Sequence, residues 1–191
     1  DWTGVWSGAI AFVVSVDGSS ALPLPDLLSC PTTTSSPPII MRAIVGFVWK
    51  YWSKKRIYAI ENGMCLEDEY PYQAKGGDCQ KCSPEIFISS CIDVTPNNQL
   101  HLQEAVAKTP VSVAIEADTK VFQLYTSGVI TSDACGNQLD HGVLIIGYGT
   151  DYDLNMDYWL VKNSWGTCWG DDGYVKIERS DSTNDPGICG I

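Results

Sequence analysis

The sequence predicts an α+β fold: a helical N-terminal half, an antiparallel β-sheet or barrel in the C-terminal half, and a cleft between them. Three observations carry this reading. The 191 residues are 45% hydrophobic and 18% charged, the balance of a globular chain with enough apolar material for a real core. In the first half, apolar residues recur at helical spacing. From Val111 onward, short runs rich in β-branched and aromatic residues alternate with glycines and acidic turns. A helical subdomain over 1–96 and a β-rich subdomain over 97–191 then make one two-part unit.

The elements follow in chain order. Val5 to Val16 is apolar on nearly every side, which predicts a buried helix held by packing rather than by propensity. Pro-Thr-Thr-Thr-Ser-Ser-Pro-Pro at 31–38 is a breaker-rich loop. A second helix is predicted over Ile40–Lys55, with Ile44, Phe47, Val48, Tyr51 and Trp52 on its apolar face. Lys50, Lys54, Lys55 and Arg56 gather near its end, where positive charge suits the helix dipole, and read as a solvated terminus rather than a basic binding patch. Leu100 to Lys108 reads as a short helix stopped by Thr109-Pro110. Val111–Ile115, Gly142–Tyr148, Tyr158–Lys162 and Tyr174–Ile177 read as strands.

Charge and cysteine content exclude several classes. A net charge of −11 argues against nucleic acid and against anionic membrane surfaces, both of which need basic patches. No apolar run reaches membrane-spanning length. Val5 to Val14 follows an aspartate rather than a basic segment, so it does not read as a signal peptide. Eight cysteines favour an oxidising compartment and structural disulfides. Cys79-Gln80-Lys81-Cys82 is a lone C-x-x-C, and a zinc site would want a second pair. No phosphate loop or cofactor fingerprint is present, so no cofactor is expected. His101, in a polar helix, reads as a surface residue.

The chemistry concentrates in Leu139-Asp140-His141-Gly142 and Lys162-Asn163-Ser164-Trp165-Gly166. A histidine ahead of a strand is, alone, more often structural than catalytic. Here an asparagine 22 residues later ends another strand, and its amide can accept from the imidazole and fix one tautomer. Trp165 stands two residues on, where an indole can cover that bond. A base and an orienting group are two of the three parts of a thiol-peptidase site; the third is a nucleophile activated at a helix N-terminus.

The longer segments around these residues resemble the papain family of cysteine peptidases. They are Cys135 to Gly142, Gly147-Tyr148-Gly149, and Tyr158 through Trp165-Gly166-Thr167-Cys168-Trp169-Gly170 to Tyr174. Pro110 to Ala114, Phe122 to Gly128, Asp26 to Cys30 and Tyr70-Pro71-Tyr72 add to it. The resemblance is dense from about residue 61 to 191 and looser before. It implies a papain-like two-subdomain fold with His141 as base, Asn163 as orienting residue and Trp165 as shield. It pairs Cys135 with Cys189 and Cys30 with Cys79, and offers no partner for Cys65, Cys82, Cys91 or Cys168. It places Met41, Ala114, Leu139 and Gly142 along the S2 wall, which implies a preference for an apolar P2 residue.

The departures lie in the N-terminal part. The family's nucleophilic cysteine falls on Ser7, whose separation from His141 lies within the usual range of about 130–150 residues. The oxyanion-hole glutamine falls on Asp1, whose carboxylate would repel the developing charge. The half-cystine before the nucleophile falls on Gly4, and its partner falls near Pro37. By resemblance, then, the chain is a cysteine-type endopeptidase acting on peptide or protein substrates. It would be monomeric, open to cystatin-like inhibitors, and secreted or lysosomal/vacuolar. Ser7 implies little or no turnover, and the alternative is an inactive homologue that binds peptides or serves as a storage or extracellular binding protein.

Overall fold

The computed structural model describes residues 11–16, 60–66, 68–70, 81–131 and 133–191. The predicted helix Ile40–Lys55 lies outside them, as do Asp1, Ser7, Cys30, Met41 and Cys79. One sheet organises what is described. Its strands are β1 (Ala11–Val16), β2 (Ile88–Asp93), β3 (Val111–Ile115), β4 (Val129–Ile130), β5 (His141–Asp151), β6 (Met156–Lys162) and β7 (Tyr174–Glu178). They lie in the order β2-β1-β3-β5-β6-β7-β4. Every pairing is antiparallel except that of β4 with β7.

The predicted buried helix over Val5–Val16 is corrected across its second half. Residues 11–16 form β1, paired with β2 on one side and with β3 on the other. A continuous apolar run has no period that separates a buried helix from a buried strand. The β-branched residues Val13, Val14 and Val16 tip the balance, because their side chains crowd a helical turn but fit a pleated surface. The four strands predicted in the second half all form, with β5 running on to Asp151.

Strand alternation builds the core. Val111, Val113 and Ile115 of β3 face the same side as Val143 and Ile145 of β5, Trp159 and Val161 of β6, and Val175 and Ile177 of β7. All are at most 4% exposed. The register stacks them in rows, such as Val111–Ile145–Val161–Val175. Each such side chain contributes about 1.5–3 kcal/mol by leaving water. Between Ile145 and Gly147 the β5–β6 register shifts by a bulge, where a residue without a side chain lets the strand bend.

Helix α1 (Gln99–Val106) packs Leu102 and Val106 onto this core. Asn98 caps it, its Oδ1 accepting the His101 N–H at 3.0 Å. Pro110 follows its end and opens β3, as the sequence suggested. Helix α2 (Lys120–Gln123) contributes the fully buried Phe122. Arg179, after β7, ties the layers together: it donates to Gln103 of α1 and to Asp157 and Asp181, and lies over the Tyr148 and Trp159 rings.

Cys135 and Cys189 are joined, as the resemblance implied, across 54 positions with Cα atoms 4.8 Å apart. Cys65 and Cys82 form a second bond, which the sequence reading had not paired. Cys168 is also disulfide-bonded and is not a free thiol. None of the described helices is long and apolar enough to cross a membrane.

Tyr125 supplies a pH-sensitive tie between α2 and β7. Its hydroxyl donates to Gly128 O at 2.7 Å and accepts the Lys176 N–H at 3.3 Å. Burial raises its pKa, opposed by the Lys176 amide and assisted by Asp171. A raised folded-state pKa means that the neutral phenol favours the fold. That stabilisation is complete below the unfolded value near 10 and is lost as pH rises through the folded one. Urea unfolding followed by tryptophan fluorescence will therefore show stability falling above about pH 10, and Tyr125→Phe will flatten the fall.

Candidate active site

His141 opens β5 opposite Ile115 of β3. The residue before it fixes its position. The Asp140 N–H donates to Ile115 O at 3.0 Å, and its carboxylate accepts the Ala117 and Asp118 N–H groups at 2.8 and 3.2 Å. These three bonds fasten the entry of β5 to the end of β3. The sequence reading quoted Asp140 in its motif but gave it no role, because its partners are backbone groups with no sequence signature.

Asn163 follows β6 directly, and its own N–H donates to Gly173 O at 3.0 Å. Its side chain meets the imidazole, with Oδ1 2.9 Å from Nε2 of His141. The Ser164 N–H donates to the same Oδ1 at 2.8 Å, which identifies that atom as the oxygen. Nε2 must then be the donor, leaving Nδ1 as the basic atom of the neutral ring. Asn163 is 6% exposed, so the bond is largely out of water. Its Nδ2 is buried without a hydrogen-bond partner among the described residues.

An aromatic group surrounds the pair. The Trp165 ring lies 5.3 Å from that of His141 at 33°. Phe122 meets Trp165 edge-on at 5.4 Å and lies tilted at 33° to Trp169 at 5.0 Å, and Trp165 meets Trp169 edge-on at 5.2 Å. The Trp169 indole N–H donates to Gln123 O at 3.0 Å, pinning the turn to α2. Trp165 itself is 41% exposed, with one side toward the site and the rest toward solvent. The turn that carries both indoles needs glycine: Gly170 has φ +63°, and a Cβ there would meet Tyr174 O at 2.5 Å. Phe122 and Trp169 were not among the predicted site residues. Their signal was the Phe122-to-Gly128 and Trp-Gly-x-x-Trp-Gly motifs themselves.

The predicted S2 positions divide. Ala114 and Gly142 are register partners on β3 and β5, on the half-exposed face opposite the core. Leu139 is half-buried, with Cδ2 against Gly190, close enough that a Cβ there would lie 2.7 Å away.

Comparison with known proteins supports one assignment. A family model described as papain family cysteine protease matches residues 19–191. The chain is 49% identical over 138 residues to the oryzain beta chain of Oryza sativa subsp. japonica, covering 70% of this chain and 29% of that protein. It is 47% identical over 136 residues to cysteine protease 1 of the same plant, covering 70% and 27%. The chain thus spans less than a third of the length of either relative. Its fold is similar to the solved bromelain protease from Ananas comosus in complex with the E64 inhibitor. The TM-score is 0.68 and the identity 38%, over 76% of this chain and 66% of that one. With this match running through the His141–Asn163 pair, the chain belongs to the papain family of cysteine proteases.

Proposed function

We propose that this site is a papain-type endopeptidase cleft, directed at peptide bonds in peptide or protein substrates. The observation that carries it is the 2.9 Å contact from His141 to Asn163, within the family match. In that reading Nδ1 of His141 takes the proton of a nucleophile at position 7. The nucleophile adds to the scissile carbonyl, the imidazolium protonates the departing amine, and water then releases the acyl group. Asn163 holds the tautomer and Trp165 covers the pair. Met41, Ala114, Leu139 and Gly142 line the S2 wall and favour an apolar P2 side chain. Monomeric action, susceptibility to cystatin-like inhibitors, a division into subdomains 1–96 and 97–191, and a secreted or lysosomal/vacuolar location belong to the same reading. The disulfides support the oxidising location.

Ser7 sets the limit on the chemistry. The family match begins at residue 19, after it. A thiol can be ionised near neutrality beside an imidazolium at a helix N-terminus; a hydroxyl cannot. Residues 11–16 form a strand, so the expected helix does not continue through them. Asp1 at the oxyanion position opposes the negative intermediate. These observations favour a second reading, in which the cleft holds peptide without cutting it. Fluorescence anisotropy with labelled peptides tests the cleft in both readings. A peptide with an apolar P2 residue is expected to bind at least severalfold more tightly than its acidic counterpart. Equal binding, or none, would overturn the cleft assignment.

A further inference from the structure

The two disulfides drawn between described residues sit in opposite surroundings. Cys135 and Cys189 are 0% and 1% exposed and belong to the core. Cys65 is 9% exposed, and Cys82 is half-buried within the otherwise exposed run Lys81-Cys82-Ser83-Pro84-Glu85. Among the described residues, 60–66, 68–70 and 81–87 contribute nothing to the core cluster. Hydrogen bonds join the two segments. Met64 N–H donates to Ile86 O at 2.7 Å, Glu85 and Ile86 N–H both donate to Met64 O at 3.0 Å, and Ser83 N–H donates to the Glu69 carboxylate at 2.9 Å. Gly63, in the left-handed region at φ +73°, leaves no room for a side chain against Pro84 and Phe87. The Cys65–Cys82 bond closes this clip.

We propose that Cys65–Cys82 is a thiol-exchange site, opened by a small thiol such as glutathione under conditions that leave Cys135–Cys189 intact, with Cys82 as the sulfur attacked. Exchange needs a thiolate to reach a disulfide sulfur, so access decides which bond reacts. Cys82 is the more exposed half of its bond, whereas both cysteines of the other bond are enclosed. Lys81 places a cation beside Cys82 in a chain of net charge −11, which draws in an anionic thiolate. The thiolate bonds to Cys82 Sγ as the Cys65–Cys82 bond breaks, and Cys65 leaves as thiolate and takes a proton. A second thiolate then attacks the sulfur of the first, and Cys82 leaves as thiolate and takes a proton, so two thiols are oxidised to one disulfide and the protein disulfide is reduced to two cysteines. The clip opens while the sheet that carries His141 and Asn163 stays closed.

The test uses the whole chain in graded glutathione, quenched with N-ethylmaleimide and mapped by peptide mass spectrometry. Glutathione or maleimide is expected on Cys82 and maleimide on Cys65, at thiol concentrations at least tenfold below those that open Cys135–Cys189. Lys81→Glu is expected to slow the opening severalfold. Tryptophan fluorescence, read in parallel, is expected to stay native. The proposal is overturned if both bonds open over the same concentrations, if glutathione is found on Cys65 instead of Cys82, or if neither bond opens until tryptophan fluorescence reports unfolding.

Discussion

The chain is expected to hydrolyse fluorogenic peptides at background rate at mildly acidic pH with reductant, and His141→Ala is expected to leave that rate unchanged. Nucleophile, base and orienting group act as one unit. Removing the nucleophile or the base alone costs nearly as much as removing all three, on the order of 10⁶ in kcat. A chain with Ser7 at the nucleophile position already stands at that floor, so the second deletion has nothing left to remove. His141 and Asn163 make the hydrogen bond that a thiolate-imidazolium pair would use, but the expected nucleophile, Ser7, carries a hydroxyl rather than a thiol. For the same reason an epoxide affinity label should not attach at position 7. Two results would contradict this. One is peptide turnover that falls a thousandfold or more in His141→Ala, which would reveal a working nucleophile. The other is epoxide adduction at Ser7. Peptide binding retained in His141→Ala, without cleavage, is the expected companion result.

The parts of this molecule that were legible in its sequence share a physical feature. β3, β5, β6 and β7 each alternate buried and partly exposed residues, or carry a β-branched run bounded by glycine or an acidic turn, so period and punctuation agreed. The α1 helix had a capping asparagine and a terminating proline. β1 differs from the predicted helix because a run apolar at nearly every position carries no period, and only its β-branched content speaks for a strand. β2 (Ile88–Asp93) and the two-residue β4 were not predicted at all: Ile-Ser-Ser-Cys-Ile-Asp is short and polar in its centre, and its pairing partner lies more than seventy residues earlier. At the site, His141, Asn163 and Trp165 were found because their side chains carry the chemistry. Asp140, and in the core Gln99, leave no such signal, because each acts on groups distant in the chain. Cys65–Cys82 was missed for a related reason, since cysteine spacing alone does not determine connectivity.

Gln99→Leu is expected to destabilise the chain by about 4 kcal/mol. Gln99 is 1% exposed at the start of α1, and its amide bridges Trp159 of β6 and Ile191. Its Oε1 accepts the Trp159 indole N–H at 3.0 Å, and its Nε2 donates to Ile191 O at 2.6 Å. Leucine would fill most of the space but leave an indole N–H and a carbonyl buried without partners, at about 1–3 kcal/mol each. Gly187 crowds the amide, since a Cβ there would lie 2.8 Å from Nε2, so the neighbours have little freedom to close around a different shape. Urea unfolding read by tryptophan fluorescence measures the loss, and a change under about 1 kcal/mol would show that these buried groups find other partners. Gln99→Glu separates hydrogen bonding from shape. An ionised carboxylate still accepts from Trp159 but sets its second oxygen against Ile191 O, and burial raises its pKa. Its penalty is therefore greatest at neutral pH and is relieved as pH falls and the acid regains a proton to donate. Such recovery in Gln99→Glu, absent from Gln99→Leu, would assign the loss to the Ile191 bond. Since β6 carries Trp159 and ends one residue before Asn163, the same substitutions are expected to loosen the His141–Asn163 pair.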